Sequence, residues 1–264
     1  MPDWHPVVLT RPEGRNEALA RRLQARGCLT LALPALTIVP LPDPAALPLP
    51  SDYDLVVFVS SAAVRAYAEQ LRQIVSMRQW PLHVPVACVG PTTAAAMRGG
   101  FWPDALRILH PGLDAPTHDS EALWQVLAHS GLPLRRVLLV RGATGREWLA
   151  QCLAQSGAAV DRHAVYTRQP ADWPEPARRV LVHWRDVGLT PVWLITSREG
   201  LDAVHGNVVQ AGMQSWWRTH RFVLTHPRLA VHLAALMGWT DEKGRAMVKI
   251  SLLHDEDVEQ ALLT

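Results

Sequence analysis

An excess of charge of one sign is missing from this chain. Across 264 residues, 26 Lys and Arg nearly balance 24 Asp and Glu, leaving a formal net charge of +2. So close to balance, electrostatics alone points to neither a nucleic-acid nor a membrane partner. Any acidic ligand would have to be met by local features. Cysteine is scarce: Cys28, Cys88 and Cys152 stand far apart, show no CxxC spacing and leave an odd count. That speaks against a disulfide framework and a cysteine zinc site, and leaves buried reduced thiols. No GxGxxG or GxxxxGK(S/T) loop follows an apolar run, which sets nucleotide chemistry aside. The histidines His5, His110, His163 and His226 form neither helical pairs nor clusters with cysteine or carboxylate at ligand spacing, so no metal is expected. Met1 to His5 lacks a basic segment followed by an apolar run, and prolines interrupt the most apolar stretch, Leu29 to Pro50. A cytoplasmic protein with no membrane segment is the expectation.

What the sequence does contain is a repeat. Arg11, Glu17, Leu19, Ala20, Leu23 and Gly27 match Arg141, Glu147, Leu149, Ala150, Leu153 and Gly157 without a gap. Each copy reads as a short buried strand ending at an arginine, a turn, and an amphipathic helix stopped by a glycine suited to a left-handed cap. A second unit also occurs twice, Asp54–Ser60 and Pro191–Ser197, each leading into a helix. Further strand-and-turn segments follow at Val86–Thr93 and Phe222–Arg228.

Near-continuous apolar strands alternating with helices imply parallel sheets covered on both faces and joined by right-handed crossovers. The expected architecture is two doubly wound α/β lobes. Proline-rich stretches at 40–50 and 170–176 stiffen the chain just after the two copies of the repeat and read as crossover points. Residues 1–36 and 168–264 are then a discontinuous first lobe and residues 41–162 the second. Segments 37–40 and 163–167 would pair as a two-stranded ladder joining them.

Several segments together carry a family resemblance. They are Leu9–Pro12, Phe58–Val64, Val89–Ala94, Arg141-Gly142 with Gly145–Glu147, Val165–Thr167, Ile195–Ser197 and Thr225–Ala230. None is specific alone, but in this order and spacing the chain resembles the uroporphyrinogen-III synthases, particularly those of bacteria. The resemblance implies two α/β domains joined by a two-stranded ladder, an active cleft between them and no cofactor. It implies a lyase of haem biosynthesis that closes the small molecule hydroxymethylbilane into uroporphyrinogen III, inverting ring D with loss of water; a monomer is the expectation. Where some members carry a second Gly-Pro-Thr-Thr turn, this chain has His226-Pro-Arg-Leu229, so a threonine role there does not transfer. His226 and Arg228 either substitute or shape the turn.

Such a substrate is a flexible polycarboxylate, and strand-to-helix turns offer it free backbone N–H groups. Ser60, Thr92, Thr93, Thr196 and Ser197 fall at these turns, with Gly90 and Gly142 beside them. Singly, each serine or threonine reads equally as a helix cap; together they favour a ligand. Arg11 and Arg141 end equivalent strands, where a guanidinium meets either a substrate carboxylate or a structural partner. Arg146, at a helix start, calls for an offsetting anion, ligand or Glu147. Loss of the hydroxyl from hydroxymethylbilane calls for a general acid. Tyr166, which matches the family's ladder tyrosine, is the candidate, against a reading as a packing residue. The rival class is a two-lobed binding or regulatory protein.

Overall fold

The computed structural model describes residues 5–74, 78–239, 247–251 and 255–263. Two compact units emerge, residues 1–37 with 169–264 and residues 38–168. The first unit opens with β1 (Val7–Leu9), α1 (Glu17–Ala25) and β2 (Thr30–Ala32), and the chain leaves it along β3 (Leu36–Pro40). The second contains β4 (Leu55–Phe58), α2 (Ser61–Ile74), β5 (Val86–Cys88), α3 (Pro91–Ala95) and β6 (Ile108–Leu109). It continues with α4 (Ser120–Ala128), β7 (Arg136–Gly142), α5 (Trp148–Gln155) and β8 (Ala159–Pro170). The first unit resumes with α6 (Glu175–Asp186), β9 (Val192–Ile195), α7 (Arg198–Gln210), α8 (Gln214–Trp217) and β10 (Arg221–Leu224). It ends with α9 (Pro227–Met237), β11 (Val248–Ile250) and α10 (Asp255–Leu263).

The first unit's sheet runs β11-β10-β9-β1-β2, with parallel pairing throughout. The second runs β3-β8-β7-β4-β5-β6, parallel from β8 to β6. Both are buried on two faces, which is why β1, β4 and β9 are apolar at every position. In the first unit Val8, Trp193, Ile195, Phe222 and Leu224 face one core, while Val7, Leu9, Leu194 and Val223 face the other. In the second, Val56, Phe58, Leu138 and Val140 oppose Leu55, Val57, Val137 and Leu139 in the same way. Each such side chain contributes about 1.5–3 kcal/mol on burial.

The repeat folds alike in both units. Leu19 and Leu23 of α1, and Leu149 and Leu153 of α5, are buried against their own sheets. Gly27 and Gly157 close the two helices in the left-handed region, at φ 84° and 97°. The next residue in each copy, Cys28 and Ala158, returns its N–H to the carbonyl of Leu23 and Leu153, at 3.1 Å in both. Only glycine reaches that conformation cheaply.

The crossings lie in β3 and β8, neighbours at the edge of the second unit's sheet. β8 is much longer than the five residues expected of it. It pairs with β7 from Ala159 onward, but Asp161, Arg162, Arg168 and Gln169 are exposed, so its polar positions conceal the strand from an apolar pattern.

Candidate functional site

In the second unit, the expected residues gather where β7, β4 and β5 end side by side. Ser60 follows β4 and caps α2, its Oγ accepting the Ala63 N–H at 3.2 Å. The same Oγ lies 3.1 Å from the Tyr166 hydroxyl. Tyr166 comes from β8, two strands away in the sheet, and reaches Ser60 by lying across Gly142 of β7. A Cβ on Gly142 would stand 2.8 Å from the tyrosine ring. The register of β7 against β8 shifts between Arg141 and Gly142, and the Ala143 N–H then bonds the Tyr166 carbonyl at 2.8 Å. Tyr166 is buried, only 2% exposed, with the Arg168 guanidinium 5.9 Å over its ring. It is thus both a packing residue and a polar one.

Gly90 ends the turn after β5 in extended backbone, φ 179°, so any residue could adopt its conformation. Space is what restricts it: a Cβ there would meet the His118 Cβ at 2.9 Å. Thr92 is exposed and its carbonyl accepts the Ser61 hydroxyl at 3.1 Å, which ties the β5 turn to the β4 turn; Thr93 is buried in α3.

Arg141 is 7% exposed and pairs with Glu147, whose other oxygen takes Arg162 at 2.9 Å. The Arg141 hydrogen bond, more than Arg162, holds the Glu147 carboxyl below its ordinary range. Its structural partner is therefore present, as one of the two readings of this arginine had it. Arg146 finds its anion in Glu121 of α4, not in Glu147. Helix α4 packs beside α5 and carries an acidic first turn, which a local reading of the α5 start does not see.

In the first unit the corresponding turns are built differently. Arg11 pairs with Asp255 of α10 at 2.5 Å. Ser197 caps α7 through the Gly200 N–H at 3.0 Å, and the half-buried Thr196 offers its carbonyl to Thr225 Oγ1 at 3.2 Å. His226 caps α9, its Nδ1 accepting the Arg228 N–H at 3.1 Å, while the Arg228 side chain is exposed. Histidine thus does the capping at the variant turn. Thr10, which the sequence did not single out, is buried at the end of β1 and donates to the Leu194 carbonyl at 2.5 Å.

Among the described residues no three His, Cys, Asp or Glu side chains group as metal ligands. Burial raises the thiol pKa of Cys28, and lifts that of Cys88 to about 11, so both stay protonated and inert. His5 bonds the Thr190 carbonyl at 2.9 Å and His163 the Gln70 side chain at 2.8 Å. No helix among the described residues is long and apolar enough to cross a membrane.

Residues 17–240 match the family model of uroporphyrinogen-III synthase HemD. The chain is 33% identical over 245 residues to a uroporphyrinogen-III synthase of Salmonella typhimurium, covering 90% of this chain and 93% of that protein. It is 30% identical over 243 residues to one from Escherichia coli, with the same coverage. Among solved structures it is similar to the uroporphyrinogen-III synthetase of Helicobacter pylori, at a TM-score of 0.54 and 14% identity over 98% of both chains. A mutant uroporphyrinogen III synthase from Thermus thermophilus matches at 0.50 and 15%, over 97% of this chain and 96% of that one. At those identities the structural likeness speaks for the fold.

Proposed function

The chain belongs to the uroporphyrinogen-III synthase family, and we propose that it closes hydroxymethylbilane into uroporphyrinogen III, inverting ring D and releasing water. The observation that carries the mechanism is the Tyr166–Ser60 hydrogen bond at the carboxyl ends of the strands. The hydroxymethyl C–O bond breaks with a pyrrole nitrogen lone pair supplying the electrons, and the oxygen needs a proton to leave as water. Tyr166 is the general acid in this reading, working with Ser60. For that relay the phenol would be the donor to Ser60 Oγ, which also accepts from the Ala63 N–H, and the serine hydrogen would turn toward the substrate. The substituted carbon of ring D then attacks the resulting azafulvene to form a spiro intermediate; its bond to the ring C methylene breaks to give a second azafulvene, which the free carbon of ring D attacks, and the proton lost from that carbon restores the acid. Every step is redox-neutral, so the chemistry calls for no cofactor.

The bilane carboxylates are assigned to the turns of both units: Arg11, Thr196, Ser197, His226 and Arg228 in the first, and Gly90, Thr92, Thr93, Arg141 and Gly142 in the second. Arg11 and Arg141 already hold carboxylate partners, so a substrate carboxylate would share each guanidinium with them. Bilane also closes unaided, to the unrearranged isomer, so much of the task is orientation, worth about 7–11 kcal/mol in well-placed cases. We take the working form to be a cytoplasmic monomer acting on a small molecule, with no nucleic-acid partner. No observation favours the rival binding-protein reading.

The test is an assay with freshly generated hydroxymethylbilane and no added metal or nucleotide, with the oxidised porphyrin isomers separated. Predominantly isomer III is expected; isomer I at the uncatalysed rate would sink the proposal. Tyr166→Phe is expected to lower kcat and leave measurable isomer III. Complete loss of activity in a folded Tyr166→Ala protein would overturn the distributed mechanism.

A further inference from the structure

The histidine seated on Gly90 has chemistry that the mechanism above does not use. His118 is exposed in the segment between β6 and α4, yet its ring is held at two points. Its Nε2 stands 2.9 Å from the Gly112 carbonyl. A carbonyl only accepts, so Nε2 carries the hydrogen, and in the neutral ring Nδ1 is left as an acceptor. Toward Gly90 the ring presents Cγ and Cδ2: a Cβ there would find His118 Cβ, Cγ and Cδ2 at 2.9, 3.2 and 3.3 Å. Nδ1, bonded to Cγ on the side opposite Cδ2, is not among those three nearest atoms. Among the described residues, its hydrogen bond to Gly112 is the one that the ring makes.

The surroundings are those of the candidate site. Gly90 ends the turn after β5, β5 lies beside β4, and β4 lies beside β7. Tyr166, seated on Gly142 of β7, and His118, seated on Gly90 in the turn after β5, therefore stand on either side of Ser60, which follows β4. Neighbouring strands are about 4.8 Å apart, so the two seats are separated by roughly 10 Å, within reach of adjoining pyrroles of one substrate. The Ser61–Thr92 hydrogen bond fastens the β4 and β5 turns to each other.

We propose that His118 is a substrate-binding residue whose Nδ1 accepts a hydrogen bond from a pyrrole N–H of the bilane, and that Gly90 is glycine in order to seat it. This rests on the proposed synthase activity. A bilane offers carboxylates, which need donors, and pyrrole N–H groups, which need an acceptor; the turns supply the first and His118 the second. An oriented acceptor between rings also helps to hold the chain in the geometry that inverts ring D.

The test compares His118→Ala, His118→Phe and His118→Gln in the full chain, reading KM, kcat and the isomer ratio, with thermal unfolding to check the fold. Loss of one such hydrogen bond should raise KM for hydroxymethylbilane about tenfold in the alanine variant, with a smaller change in kcat. Phenylalanine keeps a ring over Gly90 but has no acceptor, and should be as defective as alanine. Glutamine keeps a donor for Gly112 and an acceptor for substrate, and should recover most of the loss. If phenylalanine restores KM, or if all three variants match a wild type that makes isomer III, His118 only packs and the proposal falls while the synthase reading stands. A wild type that yields only isomer I would overturn both.

Discussion

The two copies of the repeat begin with the same arginine and place the same glutamate at the start of the following helix, yet they use them differently. In the second unit Arg141 is held within its own β-α unit by Glu147, which also takes Arg162 from β8. In the first unit Arg11 pairs with Asp255, and Glu17, the counterpart of Glu147, accepts the Asn16 N–H at 3.2 Å. Helix α10 accounts for the change. It packs Val258 and Leu262 against Leu19 and Leu23 of α1, and its buried Glu259 takes Arg22 and Arg26 at 2.6 and 2.7 Å. In the second unit α4 occupies the corresponding place, with Leu123 and Leu127 against Leu149 and Leu153, and its Glu121 takes Arg146. Equivalent backbones with different covering helices give the same arginine different partners. The position after that arginine differs too: Pro12 in one copy, Gly142 in the other, and only the glycine lets an aromatic side chain lie across the strand end.

The comparison is broken most forcefully in the cores. Leu139→Ala in β7 and Leu194→Ala in β9 each empty a fully enclosed strand position, and each should cost about 2–5 kcal/mol in denaturant unfolding. A cost near zero for one would mean that its sheet lacks a closed second face. Next comes acid sensitivity. His220 in the first unit is fully buried, its Nδ1 accepting the Trp193 indole N–H at 2.8 Å, and burial depresses its pKa to about 3. Its ordinary value is about 6.5, so below that the unfolded state binds the extra proton; the stability is complete above pH 6.5 and is lost as pH falls toward 3. This amounts to about 2 kcal/mol between pH 7 and pH 5. His220→Asn should remove that slope, and a slope unchanged in the variant would contradict the assignment. His163 in the second unit is depressed in the same direction by burial, so His163→Asn should also flatten the acid limb.

Gly142→Ala sharpens the asymmetry between the copies. Its new Cβ must displace the Tyr166 ring, which should cost about 1–3 kcal/mol and lower isomer III production. Pro12→Ala, at the exposed equivalent position, should change neither; equal effects would deny that Gly142 is a seat. The smallest effect is expected from the two ion pairs. Glu147→Gln and Asp255→Asn remove partly exposed carboxylates and should each cost at most about 1 kcal/mol by the same measurement. Glu147→Gln should cost the more, since its carboxyl serves two arginines. The reverse order would argue that α10 is the stronger clamp.

Much of the architecture was legible because local rules and tertiary demands agree. Leu55–Phe58 and Val192–Ile195 are apolar throughout because both faces of a parallel sheet are covered. The helices show their buried leucines at helical spacing, and Gly27 and Gly157 mark their ends by a conformation other residues avoid. The full length of β8 was not legible, since an edge region with exposed polar residues has no such pattern. At the site, Ser60 was legible as a residue of a strand-to-helix turn, with capping and ligand binding as its two readings, but its contact with Tyr166 joins strands far apart in sequence.

The sequence by itself determined the strands, the helices, their order and the turns that end them, since each depends on neighbours within a helical turn or a strand length. It also carried the family resemblance, which is spread over the ordered motifs. Only the tertiary structure decided that Gly142 and Gly90 are seats for Tyr166 and His118, that Arg146 answers to Glu121, and that Arg11 answers to α10. Those pairings arise from side chains meeting across adjacent strands and helices, and no local propensity encodes the few ångströms of space or the single carboxylate on which each depends.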